Sequence, residues 1–323
     1  MKHKIWRAAA AALMFSAACA SANAAYPDRS LTLVVPYAPG GTTDLMARIV
    51  AAKLGDVLGQ TVVVVNKPGA GGAVGSGYAA RERPDGYTLV MAVESSHAVN
   101  PSVHAKPPYD PIKDFAPISN LANVLGVLDV PADSDIKSFD QLVTELKAHP
   151  DRYSFGSSGS GGYSHLFGEL FLSATDTKML HVPYKGLGPA LVGLMAGQVQ
   201  VVFDNLPSSA GFLKGGKLRA LAVASPERIK SMPDVPTYAE VGYPQFNTPS
   251  WFGLAAPAGT PDAILDTLNQ AVKQVLSDPK VIQDIERQGA VPNYTSREQF
   301  AAMIKRSNGV WQEVVNNIGF EKL

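Results

Sequence analysis

Three stretches of the chain place small residues, hydroxyls and backbone N–H groups where an apolar run gives way to a helical pattern. They are "PYAPGGTTD" from Pro36, "ESSHAVNP" from Glu94 and "GSSGSGGYSH" from Gly156. The first N–H groups of a helix have no partner within it and carry partial positive charge. Glycine lets a ligand approach the backbone closely. Such a junction can hold an anion without Arg or Lys. The same residues also make tight turns and helix caps, and at any single junction that plainer reading does as well. Several junctions of one design favour binding. Asp44 complements the helix dipole but repels an anion set on it, which puts the ligand on the Gly41–Thr42–Thr43 side.

Enzyme-like patterns are weaker. "GSGYAA" (Gly75 to Ala80) fits a loose dinucleotide fingerprint with Glu94 about twenty residues on, but its glycines fall inside a helical stretch rather than at the turn. "GFLKGGKL" (Gly211 to Leu218) has phosphate-loop spacing up to Lys217, then Leu218 where a magnesium-binding hydroxyl belongs. A helix ending in a Gly-Gly turn explains it better. The serine-rich stretch ending at His165 lacks a G-x-S-x-G elbow. An exported serine hydrolase using it remains the rival from another class. The six histidines show no metal-ligand spacing, so neither metal nor cofactor is expected.

The elements that position these junctions alternate. Strand patterns at Leu31–Val35, Thr61–Val65 and Tyr87–Val93 are separated by helical patterns over Thr43–Leu58 and the small-residue run after "NKPGAGG". This order implies a parallel α/β sheet. "TVVVV" has no polar side and reads as buried on both faces. Further strands are expected in "VLGVLDV", "YSFG", "MLHVPY", "VQVVF" and "LRALAVA". Helices are expected over Ser138–Ala148, Tyr163–Ala174, Pro189–Met195 (Pro189 as first residue), Pro261–Leu276, Pro279–Gln288 and Ser296–Asn316. "HAKPPYDPIKDFAPI" and "SMPDVPTYAEVGYPQFNTPS" read as surface connections. The N-terminus, with Lys2, Lys4 and Arg7 before an apolar run and "ANA", reads as a secretory signal over residues 1–24, cleaved before Ala25. The only cysteine, Cys19, lies inside it, so the mature chain has no disulfide. Removing the three basic residues leaves 25 basic against 28 acidic residues. There is no basic stripe for nucleic acid.

With these stretches in view, the chain resembles the solute receptors of tripartite tricarboxylate transporters, the Bug-type periplasmic binding proteins. The resemblance lies in "PYAPGGTTD", "VVNKPGAGG", "PDGYTL", "PYDPIKDFAPI", "SSGSGGYSHL", "HVPYKG", "AGQVQVVFDNLPSS", "GKLRALAV", "PDVPT" and "WFGLAAPAGTP", in family order along the whole mature chain. It implies a two-lobed, type II-like periplasmic receptor, each lobe a mixed, mostly parallel sheet flanked by helices. Lobe one would hold residues 25–124 and 250–323, and lobe two 125–249, with the chain crossing near Leu125 and Trp251. The family binds small carboxylates in the cleft, often through bridging waters. Carried over, its site implies Tyr37, Pro39, Gly40, Gly41, Thr42 and Thr43 on lobe one, with Ser95, Ser96 and His97. Lobe two would add Ser157, Ser158, Gly159, Gly162, Tyr163 and His165, with Tyr184 and Lys185 nearby. Asp204 would face the ligand's far end or simply cap a loop. Tyr163 departs from the small residue or proline of many members, narrowing the cleft or stacking on a flat ligand. Asp135, where a proline is common, reads as a surface change. The implied function is non-enzymatic capture of a small organic carboxylate for membrane transporter components, with a sensor kinase as the alternative client.

Overall fold

The computed structural model describes residues 26–323; the signal segment 1–24, its cleavage site and Cys19 lie outside the described residues. In chain order the first elements are β1 (Leu31–Val35), α1 (Thr42–Leu58), β2 (Val62–Asn66), α2 (Ala73–Ala80) and β3 (Thr88–Val93). A π-helical turn (Ser95–Val99) then leads into the short α3 (Asn100–Val103). Next come β4 (Phe115–Val124), β5 (Gly126–Pro131), α4 (Phe139–Ala148), β6 (Ser154–Ser157), α5 (Tyr163–Thr175), β7 (Leu180–Pro183), α6 (Leu187–Met195), β8 (Val201–Asn205), α7 (Leu206–Lys214) and β9 (Leu218–Val223). The chain ends with β10 (Ser250–Pro257), α8 (Asp262–Val275), α9 (Pro279–Arg287), β11 (Ala290–Pro292) and α10 (Arg297–Asn317).

Two mixed sheets result, in the orders β11-β4-β10-β3-β1-β2 and β7-β6-β8-β5-β9. β1 runs parallel to β2 and β3, and β6 parallel to β7 and β8. β10 is antiparallel to both β3 and β4, and β5 to both β8 and β9. Consecutive strands β4 and β5 belong to different sheets, as do β9 and β10, so the stretch "VLGVLDV" is not one strand but parts at Leu125. The architecture is the two-lobed α/β fold.

Several expectations need correction. β2 is an edge strand with Val63 46% exposed, not a strand buried on both faces. An apolar run with no polar side does not by itself distinguish a central from an edge position. Pro189 is the third residue of α6, which starts at Leu187 after Gly186. "HAKPPYDPIKDFAPI" is not wholly a connection, because β4 begins within it at Phe115. Ser119, Asn120 and Asn123 break the apolar alternation of this strand, and Pro117 sits beside a register irregularity opposite Leu254 and Ala255. The polar residues are used internally: Ser119 Oγ donates to Thr295 O at 2.9 Å, and Thr295 Oγ1 accepts the Asn120 N–H at 2.9 Å. The second connection docks inward through Tyr238 and Phe246, each 1% exposed. Gly75, read above against a cofactor loop, lies in α2, where a Cβ would meet Pro36 Cα at 2.6 Å; its role is close packing.

The polar seam under β4 gives a test. Asn269 on α8 donates through Nδ2 to Ile118 O (2.7 Å) and Thr295 O (3.1 Å) and accepts from the Tyr294 hydroxyl (2.7 Å). Asn269→Ala leaves these buried partners without it, and urea unfolding should show a loss of about 2–4 kcal/mol. A loss below about 0.5 kcal/mol, the range of ordinary surface changes, would show that the seam does not hold β4.

Candidate functional site

Four helices begin where the lobes face each other. Gly41, Thr42 and Thr43 open α1, Tyr163 and Ser164 open α5, Leu187 opens α6, and Asn205 precedes α7; all line one narrow cleft with Tyr37, Val93, Ser95, Ser158 and Phe252. None of these four helix starts carries a side-chain cap. Away from the cleft, α4, α9 and α10 are capped by Ser138, Asp278 and Ser296, while α2, α3 and α8 are uncapped as well, so it is the convergence of the four starts rather than the missing caps that sets the cleft apart. No Lys or Arg is found among the described residues lining the cleft. Its field is therefore that of helix ends and hydroxyls.

The lobes meet across it through backbone groups and hydroxyls. The Ala38 N–H donates to Lys185 O at 2.9 Å, and the Tyr163 N–H donates to Ser95 Oγ at 2.8 Å. Thr42 Oγ1 lies 3.1 Å from Ser208 Oγ and 3.3 Å from Asn205 O. Two glycine contacts set the closeness. A Cβ on Gly188 would meet Pro39 O at 2.9 Å and Gly41 N at 3.2 Å, and one on Gly159 would meet Gly71 N at 2.8 Å. The cavity left between the lobes is about 30 Å³.

Of the residues named from the sequence, Tyr37, Gly41, Thr42, Thr43, Ser95, Ser158 and Tyr163 come together in the cleft. The others do not line it. Pro39 and Gly40 are exposed, and the Gly40 N–H is held by Asp44 Oδ2 at 3.0 Å. Burial pushes the Asp44 carboxyl up, but Arg48, Asn66 and the Gly40 amide outweigh it and hold it below its ordinary value. Ser96 and His97 face the core: His97 Nδ1 lies 2.9 Å from Ser96 Oγ, with its ring against Phe115. Burial pushes His97 down to about 3, so this ring is neutral.

Ser157, Gly159 and Gly162 shape the turn from within: the Gly159 N–H donates to Ser157 Oγ (3.1 Å), and the Gly162 N–H to Gly159 O (3.1 Å). His165 stands behind the turn, accepting the Gly161 N–H at Nδ1. Tyr184 turns its hydroxyl to Gln198. Asp204 lies behind Ser208, 2.6 Å from its hydroxyl, beside Asp129 of β5. Burial pushes both carboxyls up, and the charge of Asp204 raises Asp129 further. Ser96, His97, Ser157, His165 and Asp204 turn their side chains inward, which residue type alone does not reveal.

Val93, Ser164, Leu187, Asn205 and Phe252 were missed. Leu187 and Asn205 carry the same strand-to-helix signal as the first junctions, in "YKGLGP" and "FDNLP"; the apolar Val93 and Phe252 carried none. The serine–histidine pair a hydrolase needs does exist, as Ser157 Oγ and His181 Nε2 at 2.6 Å. However, Ser157 is fully buried behind the turn.

The family model for tripartite tricarboxylate transporter family receptors matches residues 46–320. Protein BugT of Bordetella pertussis is 38% identical over 295 residues, 91% of this chain and 90% of BugT. The chain belongs to the tripartite tricarboxylate transporter receptor family. A solved periplasmic transporter superposes with a TM-score of 0.89 at 48% identity, covering 90% of this chain and 98% of that one. MatC from Rhodopseudomonas palustris with bound malate gives 0.87 at 32% identity, covering 90% and 100%. The R. palustris protein Rpa4515 with adipate gives 0.88 at 35%, covering 92% and 100%. Beside the cleft of this receptor stands Glu94. It lies between the lining residues Val93 and Ser95 and is itself buried, accepting from Trp311 Nε1 at 2.8 Å through Oε1, while Oε2 has no partner.

Burial lifts Glu94 to about 7, against the lowering effects of Trp311, Ser250 and the Trp251 amide. A raised carboxyl contributes its stability in the neutral form, in full below the unfolded value near 4.5, and loses it as pH rises through 7. Glu94→Gln should match the wild type at pH 4.5 and exceed it at pH 8 by up to about 3 kcal/mol in denaturant unfolding. Equal stability at both pH values would show that Glu94 is not held neutral.

Proposed function

We propose that this chain is a non-enzymatic periplasmic receptor that captures a small organic carboxylate between its lobes and delivers it to the membrane components of a tripartite tricarboxylate transporter. The observation that carries this reading is the convergence of four uncapped helix starts on a cleft without a cationic lining residue. MatC with bound malate and Rpa4515 with adipate support the ligand class. One carboxylate group would lie between the starts of α1 and α5, touching Gly41, Thr42, Thr43 and Ser95 on one side and Ser158, Tyr163 and Ser164 on the other, with waters bridging where direct reach fails. The apolar flanks, Val93, Leu187 and Phe252, would take the ligand's carbon chain.

The magnitudes suffice. Micromolar affinity requires about 8 kcal/mol. Hydrogen bonds to a charged group contribute roughly 1.5–3 kcal/mol each, and about five of them offset association costs of at least about 4 kcal/mol. A cavity of about 30 Å³ holds only about two waters, so a carboxylate must enter with the lobes apart. Residues 25–124 with 250–323, and residues 125–249, would then move as two bodies about the crossings near Leu125 and Trp251. Only the shut form engages both junctions, so the ligand favours closure.

Native mass spectrometry of the freshly purified protein names the ligand class if a carboxylate is retained. A reporter ester tests the enzymatic rival: turnover that disappears in Ser157→Ala or Ser158→Ala would sink the receptor reading. Gly188→Ala separates closure from folding. It sits in the first turn of α6, where Ala favours the helix by up to about 1 kcal/mol, while its Cβ would press on Pro39 and Gly41 of the other lobe. The variant should keep its melting temperature, bind the retained carboxylate at least about tenfold more weakly, a cost of roughly 1.4 kcal/mol, and lose the ligand-induced contraction seen by small-angle scattering. Unchanged affinity and contraction would contradict closure at this seam.

A further inference from the structure

Outside the cleft lining, the Ser157–Gly162 turn of lobe two lies against a second glycine-rich turn on lobe one. Gly69, Ala70, Gly71 and Gly72 all have positive φ, at +142°, +45°, +59° and +99°. An alanine in the left-handed region is strained, and such strain persists only where the surroundings fix the shape. The shape lays Gly71 flat on lobe two: a Cβ there would meet Gly162 N at 2.5 Å, Ser160 O at 2.7 Å and Gly161 C at 2.8 Å. The Tyr37 hydroxyl steadies the turn by donating to Gly71 O at 2.9 Å.

From the facing side, Gly161 enters a socket made by lobe one. Its φ is +73°, and a Cβ on it would meet Val103 Cγ2 at 2.9 Å, Asn100 Nδ2 at 3.2 Å and Leu323 Cδ1 at 3.2 Å. Leu323 is itself tied down, its N–H donating to Val103 O at 2.8 Å and its carbonyl accepting the Ala105 N–H at 3.1 Å. Asn100, the first residue of α3 and fully buried, bridges the two turns. Its Nδ2 donates to Ala70 O of lobe one at 2.9 Å and to Gly161 O of lobe two at 3.3 Å. Both partners are carbonyl oxygens, which only accept, so the amide nitrogen must face them. Its Oδ1 is left without a partner. Asn100, Gly71 and Gly161 do not line the cleft.

We propose that Asn100 is a positioning residue that clasps lobe two to lobe one at a seam the bound molecule does not touch, and so sets how readily the lobes shut without choosing what is bound. The effect on binding rests on the receptor reading above; the effect on shutting does not. Both amide hydrogens are engaged by protein only when the lobes are shut. With the lobes apart, the bond to Ala70 stays within lobe one and the Gly161 carbonyl returns to water. A molecule gripped by both lobes binds the shut form, so its apparent affinity scales with the fraction of the chain that is shut. A contact outside the cleft therefore changes every apparent affinity by one factor, whereas contacts inside it change them unequally.

Two variants reach the seam from different residues. Asn100→Leu keeps the branched shape, removes both donors and also removes the orphaned Oδ1. Gly71→Ala leaves Asn100 in place and sets a methyl group against lobe-two backbone; the neighbouring Ala70 shows that this turn holds an alanine at positive φ. Melting curves establish that each variant is folded. On the full chain after exhaustive dialysis, small-angle scattering gives the radius of gyration, and calorimetry gives Kd for malate, adipate, succinate and benzoate. If the lobes rest apart before binding, each variant should raise every measurable Kd by a common factor, up to about tenfold for Asn100→Leu, the worth of one buried hydrogen bond. If they rest shut, the radius of gyration before any carboxylate is added should grow instead. The order of the four carboxylates should stay the same in either case. Folded variants that change neither quantity, or that reorder the carboxylates, would overturn the proposal. A wild type that binds none of the four, with variants that still widen, would count against the receptor reading and leave the clasp standing.

Discussion

A negative guest held without a cation needs donors fixed before it arrives, and on the proposed receptor reading that requirement would organise this molecule. Backbone N–H groups at helix starts meet it, because they are aimed by the helix and cannot turn away. They are useful only if nothing else occupies them. The helices that start at the cleft carry no side-chain cap on their own N-terminal residue, although the first amide of α5, that of Tyr163, is taken up across the cleft by Ser95 Oγ and would have to be released or bridged. Closure must then bring two such starts within reach of one small group. Gly188 and Gly159 let backbone lie against backbone here, which on that reading would permit the closure.

The ionisable groups around the cleft are arranged so as not to compete. Glu94, Asp129 and Asp204 lie in the surrounding core, and burial drives each towards its neutral form. His97 is held neutral from the other direction. Asp44, the carboxylate at the start of α1, is engaged by Arg48, Asn66 and the Gly40 amide. The residual field in the cleft is that of the helix ends, and the main-chain amides are its principal donors.

Much of this was legible in the sequence because strand-to-helix junctions are local. "PGGTTD" and "SSGSGGYSH" announced the starts of α1 and α5, and Tyr37, Gly41, Thr42, Thr43, Ser95, Ser158 and Tyr163 do converge. What was not legible depends on contacts distant in sequence. Ser96, His97, His165 and Asp204 have polar side chains at the right junctions, yet these turn inward to partners such as Phe115, Gly161 and Ser208, while Tyr184 points to the exposed Gln198. The glycine-rich "NKPGAGG" looked like a plain turn, but Gly71 is where the two lobes touch. β4 escaped notice because its buried polar residues pair with Thr295, some 175 positions away.

The most direct test of the account is a crystal structure of the protein soaked with a dicarboxylate panel that includes malate and adipate. The account predicts that carboxylate oxygens lie within hydrogen-bond distance of main-chain N–H groups at the starts of both α1 and α5, directly or through one water, with no basic side chain in contact. A carboxylate lodged outside this cleft, or gripped there chiefly by a lysine or arginine such as the neighbouring Lys185, would contradict it.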